Sequence, residues 1–258
     1  ITSYQHRILY YGPMTQETFT TEINRLHRVP DTLLPIPEGI EFKQQMITEP
    51  KVLLAKYDAK QIYMSMISNR GESFDETINP AMSMYNEYFS GSMNAIVFQE
   101  MREARGLAYS AGAYLITPSK LKYPYIFRTF IATQNDKMDD ALKAFDSIIN
   151  DMPLSEKAFN LAKDALITRL RTERIIKSDV LWTYIQATDL GMKHDNRKEL
   201  FEQAQTMTLA DLKAFQEKWI KGRNYIYCIL GDEKELDMKK LSTYGPIQQL
   251  SQEEIFGY

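Results

Sequence analysis

One segment, from Phe98 to Tyr114, constrains the fold more than any other part of the chain. It reads Phe-Gln-Glu-Met-Arg-Glu-Ala-Arg-Gly-Leu-Ala-Tyr-Ser-Ala-Gly-Ala-Tyr, a charged helix end followed by a glycine and a strand of small residues. Because glycine readily adopts the left-handed conformation that ends helices, we expect a turn at Gly106. The turn would bring Arg102 and Tyr109 to one space. Both side chains donate hydrogen bonds, so such a pair can hold a peptide carbonyl or the oxyanion that it becomes.

Strand-like and helix-like patterns are arranged around this segment in a definite order. Alternating or β-branched runs predict strands at residues 52–57, 61–68, 108–116, 125–133 and 225–230. Apolar residues at helical spacing predict helices at residues 79–91, 95–104, 138–149, 155–174 and 178–190, and a further helix starting at Thr208. This order indicates an α+β fold, in which helices pack largely on one face of a mixed, mostly antiparallel sheet.

The chain also contains a short internal repeat. Residues 6–28 and residues 224–241 both read as an apolar run, a glycine turn and a short amphipathic helix. We therefore interpret residues 1–28 as the terminal strand and helix of a preceding homologous domain. Residues 29–50, which are rich in proline, have the composition of a stiff linker. Residues 51–258 are then expected to form a complete, non-catalytic α+β domain.

Composition and charge exclude several classes of partner. The net charge of −3 does not fit a nucleic-acid-binding surface, which needs a basic surplus. No apolar run approaches the roughly 20 residues of a membrane span. The first residue is Ile1, so we expect a processed chain or a piece of a longer one, and the pattern is compatible with a periplasmic or a cytoplasmic protein. The single cysteine, Cys228, lies in an apolar run and is expected to be a buried, inert thiol.

The sequence offers no self-contained catalytic site. The histidines, His6, His27 and His194, are isolated along the chain, and neither His-Glu-x-x-His nor its inverse occurs. No glycine-rich phosphate loop and no Gly-x-Ser-x-Gly elbow is found. We therefore expect no catalytic residue, no metal ligand and no cofactor in this segment.

The segment that follows the bend Phe89-Ser-Gly-Ser-Met93 resembles the pitrilysin/insulysin family of zinc metallopeptidases, the inverzincins. In that family a hydrophobic helix and a Gly-Ser-rich bend lead to Phe-x-x-x-Arg-x-x-x-Gly-x-x-Tyr. The likeness extends from about Pro50 to Leu241. The family's inverse zinc motif is missing, since the helix where it would fall reads Asn-Pro-Ala-Met-Ser-Met-Tyr-Asn from Asn79.

The resemblance implies a C-terminal, substrate-binding domain without a metal. Family members pair related α+β domains into two halves that close like a clamshell, with zinc in one domain and an arginine and a tyrosine reaching across from another. Arg102 and Tyr109 match those two substrate-binding positions. The full-length protein would then be a zinc metallopeptidase that hydrolyses peptides, and this segment alone would be inactive. Its partners would be a peptide substrate and the zinc-bearing domain or subunit.

Two other functions remain open. Relatives of the family serve as catalytically inactive scaffolds or subunits of peptidase-like complexes. An α+β interaction module unrelated to peptidases would share the same general layout.

Overall fold

The structure is a computed structural model that describes residues 3–42, 44–58, 60–108 and 110–257. Within these ranges six strands are found: β1 (Lys51–Lys56), β2 (Gln61–Ser68), β3 (Ser110–Ile116), β4 (Ile126–Gln134), β5 (Ile226–Gly231) and β6 (Ile247–Leu250). The helices in the same ranges are α1 (Gln16–Leu26), α2 (Asn79–Ser90), α3 (Ile96–Phe98), α4 (Met138–Asn150), α5 (Glu156–Thr172), α6 (Asp179–Asp189), α7 (Arg197–Thr206), α8 (Leu209–Trp219), α9 (Met238–Leu241) and α10 (Gln252–Phe256).

The strands form a single mixed sheet in the order β3-β4-β2-β5-β1-β6. The pairs β3/β4, β4/β2 and β2/β5 are antiparallel, whereas β1 pairs in parallel with β5 and with β6. The register places Met64 of β2 between Ile131 of β4 and Ile229 of β5, and all three side chains are buried. The predicted α+β class with a mixed, mostly antiparallel sheet is confirmed.

One face of the sheet is covered by helices. Along β2, every second side chain from Ile62 to Ser68 is buried, and those between are only partly so. The buried set packs with apolar side chains of α2, α4, α5 and α8 in one core, whose largest fully buried members include Tyr85, Tyr88, Phe89, Phe127 and Phe145. Alternation on the strands and a wide apolar stripe on α2 and α4 therefore meet as two layers.

Helix starts follow the local sequence closely. Thr208 and Asp211 form a reciprocal capping box at the start of α8, as the sequence predicts. Pro80 lies in the first turn of α2, where its missing N–H costs nothing. The elements α7, β6 and α10 were not predicted. They are short or strongly polar, so local periodicity gives a weak signal for them.

The N-terminal part departs from expectation. Residues 7–11, which were predicted to be a strand, do not form one, whereas the helix predicted to follow them is present as α1. Tyr4 forms an isolated parallel bridge with Leu34, and the Gln5 amide donates to the Leu34 carbonyl at 2.8 Å. A strand needs a neighbouring strand to satisfy its backbone, and none lies beside residues 7–11 in the described structure. The assignment of residues 1–28 to a preceding domain, with 29–50 as a linker, stays a prediction.

None of the helices in the described ranges combines the length and the apolar character needed to cross a bilayer.

Candidate functional site

Arg102 lies on a helical segment with an unusual hydrogen-bond pattern. After Phe98 the helix α3 continues as a π-helical turn, Gln99–Glu103, in which the Ala104 amide donates to the Gln99 carbonyl at 2.8 Å. Turns of this kind are rare in proteins overall, and those that occur are often located at functional sites. The Arg102 side chain is 40% exposed, so its guanidinium reaches the surface from this turn.

The turn is anchored on both sides by buried residues. Val97 and Met101 are fully buried in the core, and Leu107 is nearly so on the other side of the bend. The Thr133 hydroxyl of β4 donates to the Leu107 carbonyl at 2.6 Å, which ties the bend to the sheet. Gly106 has a φ of +58°, the left-handed conformation expected for a glycine that ends a helix. The predicted turn is confirmed, and buried neighbours on both sides anchor the backbone that carries Arg102.

The two arginines of this turn have different surroundings. The Cζ atom of Arg102 lies 4.9 Å from the centroid of the Phe98 ring, a cation–π contact, and its Nε lies 3.6 Å from Glu103. Arg105 instead donates to the Glu100 carboxylate at 3.2 Å. Exposed ion pairs of this kind contribute little to stability, at most about 1 kcal/mol, because water screens them. The Arg105 guanidinium can therefore exchange its surface partner for another anion or carbonyl at low cost.

Tyr109, the second predicted site residue, lies outside the described residues. Its chain neighbours are Ala108, which follows the bend, and Ser110, the first residue of β3. The predicted meeting of the Tyr109 hydroxyl with the Arg102 guanidinium stays a prediction.

The face of the sheet opposite the helices carries an apolar groove of about 330 Å³. Strand side chains line its floor, among them Tyr63, Phe130 and Leu230, and Ile255 of α10 lies at its side. The sequence analysis missed this groove. The signal for it was the apolar character of the alternate positions of β2, β4 and β5, which places hydrophobic side chains on both faces.

Cys228 belongs to this groove and is only half buried, so the expectation of a buried thiol is wrong. Burial nevertheless raises the pKa of the Cys228 thiol, although the nearby Arg128 cation acts in the opposite direction. A thiol with a raised pKa stays protonated at neutral pH and is a poor nucleophile.

The described residues do not fit a zinc site. They contain no group of three or more histidine, cysteine or acidic side chains placed to hold a metal, whereas protein zinc sites need at least three protein ligands. α2 has no histidine, and its buried carboxylate, Glu87, accepts a hydrogen bond from the Arg169 guanidinium at 2.7 Å.

Two of the histidines that are isolated along the chain meet in space. The Nε2 atoms of His6 and His27 lie 2.7 Å apart, and His194 contacts Glu199 at 3.0 Å. The chain folds back through α1, which brings together two histidines that are distant in sequence. Each of these contacts joins two side chains, one fewer than a zinc site requires.

Comparisons with solved structures find the same fold. The peptidase M16 inactive domain from Pseudomonas fluorescens superposes with a TM-score of 0.65 at 17% identity, covering 84% of this chain and 50% of that one. The periplasmic protease PqqL from Escherichia coli gives 0.62 at 14% identity, covering 86% of this chain and 25% of that one. A chain of Complex III2 from Candida albicans gives 0.58 at 17% identity, covering 90% and 57%. The chain thus spans about half the length of the first of these structures.

Sequence comparison gives the family. No curated protein matches the chain significantly. The family model described as Peptidase M16 inactive domain matches residues 22–166, which is more than half of the 258 residues. The matched range includes residues 29–50, α2, the π-helical turn with Arg102, and strands β1 to β4. The chain belongs to the Peptidase M16 inactive domain family.

Proposed function

We propose that this domain binds peptide substrate for a zinc metallopeptidase whose metal lies in another domain or subunit. One observation carries the proposal: in a member of a peptidase family, Arg102 is held on a π-helical turn anchored in the core, with its side chain at the surface. Arg102 and Tyr109 would reach across the cleft between two halves of the enzyme. Hydrolysis itself would take place at the metal, outside this chain.

The chemistry of the two side chains suits this role. A guanidinium offers several N–H donors and a phenol offers one O–H donor, so together they can bind a peptide carbonyl oxygen. As negative charge develops on that oxygen, donors that are already in place stabilise it without reorganising.

The proposal is tested by substitution in the full-length protein. Arg102→Ala and Tyr109→Phe should each lower kcat/KM for peptide hydrolysis by roughly a hundredfold, about 3 kcal/mol, as loss of one oxyanion donor does elsewhere. A fall in kcat would indicate stabilisation of the transition state, and a rise in KM alone would indicate binding of the ground state. Arg105→Ala is the matched control, since Arg105 lies on the same turn and pairs with Glu100. Unchanged turnover in folded Arg102→Ala protein would contradict the assignment.

A second candidate is a catalytically inactive scaffold within a peptidase-like complex. The similarity to a chain of Complex III2 from Candida albicans favours it, because that chain is part of a multi-subunit assembly. The remaining sequence of the full-length protein distinguishes the two. A His-x-x-Glu-His motif there supports the peptidase, and its absence there and in a partner subunit supports the scaffold. Stoichiometric zinc binding by this chain alone would contradict both.

A further inference from the structure

Strand β3 lies at one edge of the sheet, and helix α2 lies along its outer side. Three backbone groups of β3 that would otherwise face outward are hydrogen-bonded to side chains of α2. The Leu115 amide donates to Asn86 Oδ1 at 3.0 Å, and the Asn86 Nδ2 group donates to the Leu115 carbonyl at 2.9 Å. The Ala113 amide donates to Ser90 Oγ at 2.9 Å. Side chains of α2 therefore occupy these outward-facing backbone groups of the edge strand.

The spacing of the two elements explains why a helix can do this. Four residues of an α-helix advance about 6 Å, and two residues of a strand advance about 6.8 Å. Asn86 and Ser90 are four apart on α2, and their partners are two apart on β3, in the opposite chain direction. Met82, one turn earlier, continues the series with the Thr117 hydroxyl 3.9 Å from its sulfur. Side chains on one face of α2 thus match the repeat of the strand.

The chemistry of the contact imitates a neighbouring strand. The carboxamide of Asn86 has one acceptor and one donor side, like a peptide group, and it makes with Leu115 the two bonds that a paired residue would make. A further hydrogen bond runs from a side chain of β3 to the backbone of α2: the Tyr114 hydroxyl donates to the Ser90 carbonyl at 2.9 Å. Gly112 leaves room for this ring, since a Cβ there would lie 3.1 Å from it.

We propose that Asn86 and Ser90 close the β3 edge, so that β3 of a second copy of this chain cannot add to the sheet there. Unpaired N–H and C=O groups on an edge strand are a template for pairing with another chain. With α2 in place, the Ala113 amide and both backbone groups of Leu115 are already occupied. The inference does not depend on the proposed roles of Arg102 and Tyr109.

Amide hydrogen exchange of the intact chain, resolved by NMR at Ala113 and Leu115, tests the contact directly. Ser90→Ala should speed exchange at Ala113 about tenfold, the effect of losing one hydrogen bond, and leave Leu115 nearly unchanged. Asn86→Ala should do the converse. In each single variant the other amide is the internal reference, because a variant that merely loosens the fold would speed exchange at both positions. Asn160→Ala, at an exposed position of α5, is the matched control.

Sedimentation of the Asn86→Ala/Ser90→Ala double variant tests the consequence. At equal concentration and with native circular dichroism, the double variant should form larger species than the parent chain and the Asn160→Ala control. Parent-like exchange at Ala113 and Leu115 in the single variants would overturn the proposed contact. A folded double variant with the oligomeric state of the parent would overturn the proposed closure. Neither result bears on peptide hydrolysis, so failure here is distinct from failure of the proposed function.

Discussion

The two faces of the sheet carry similar residue types in different surroundings. Phe127 and Phe130 lie three residues apart on β4 and point to opposite faces; Phe127 is fully buried under the helices, whereas Phe130 is partly exposed in the open groove. Tyr227 and Cys228 show the same contrast as neighbours on β5. The helices, and not the strand sequences, therefore decide which face of the sheet is buried in the core. We expect substitutions on the buried face to destabilise the protein more than substitutions on the open face.

The largest expected effect comes from the two phenylalanines. Phe127→Ala should lower the free energy of unfolding by about 3–5 kcal/mol, because it opens a cavity in a closed core. Phe130→Ala should cost about 1 kcal/mol, since its ring is already partly in contact with water. Urea unfolding with comparison of midpoints and slopes measures both. Equal losses would show that the open face is packed as tightly as the covered one.

A smaller effect is expected from the tyrosines of the covered face at high pH. Burial raises the pKa of Tyr227 to about 12, and it raises the pKa of Tyr85 and Tyr225 still further above the ordinary value. An unfolded chain loses these protons near pH 10, whereas the folded chain keeps them, so stability should fall as the pH rises from 10 through 12. For Tyr227 the loss amounts to roughly 2–3 kcal/mol over that window.

Absorbance of tyrosinate at 295 nm, followed with circular dichroism across the same pH range, checks this expectation. Tyr227→Phe should flatten part of the decline, and Tyr63→Phe on the open face is its control. Complete ionisation of all tyrosines near pH 10 in a protein that stays folded would contradict the account.

The smallest effect concerns Cys228 on the open face. Because burial raises the pKa of its thiol, alkylation by iodoacetamide at pH 7.5 should be roughly tenfold slower than for a free thiol, and should become fast in urea. Mass spectrometry of timed samples measures the rate. Modification of the native chain as fast as of glutathione would mean that the groove exposes the thiol fully.

Local patterns were sufficient for most of the elements. The strand at Gln61–Ser68 and the helix that starts at Asn79 were predicted at their observed positions, because alternation, even when imperfect, and a proline in the first turn act within a few residues. The turn at Gly106 was predicted for the same reason. By contrast, β6 is a run of four residues whose strand character depends on pairing with β1, a contact that no local pattern encodes.

The candidate site was predicted only in part. The motif pointed to Arg102, and the structure adds the π-helical turn that carries it and the Phe98 ring that its guanidinium contacts. The hydrogen bonds of Asn86 to Leu115 could not be foreseen, since the two residues meet only after α2 docks against the edge of the sheet. The contact between His6 and His27 likewise exists only because the chain returns through α1.

The sequence by itself determined the alternation of strands, the helix starts, the glycine turn and the family motif, because each of these rests on interactions among residues close in the chain. Tertiary structure alone decided which face of the sheet is covered, which edge is closed by Asn86 and Ser90, and which apolar side chains remain in an open groove. The physical reason is that burial and pairing are properties of two surfaces in contact, and a strand that is apolar on both faces does not specify which one a helix will cover.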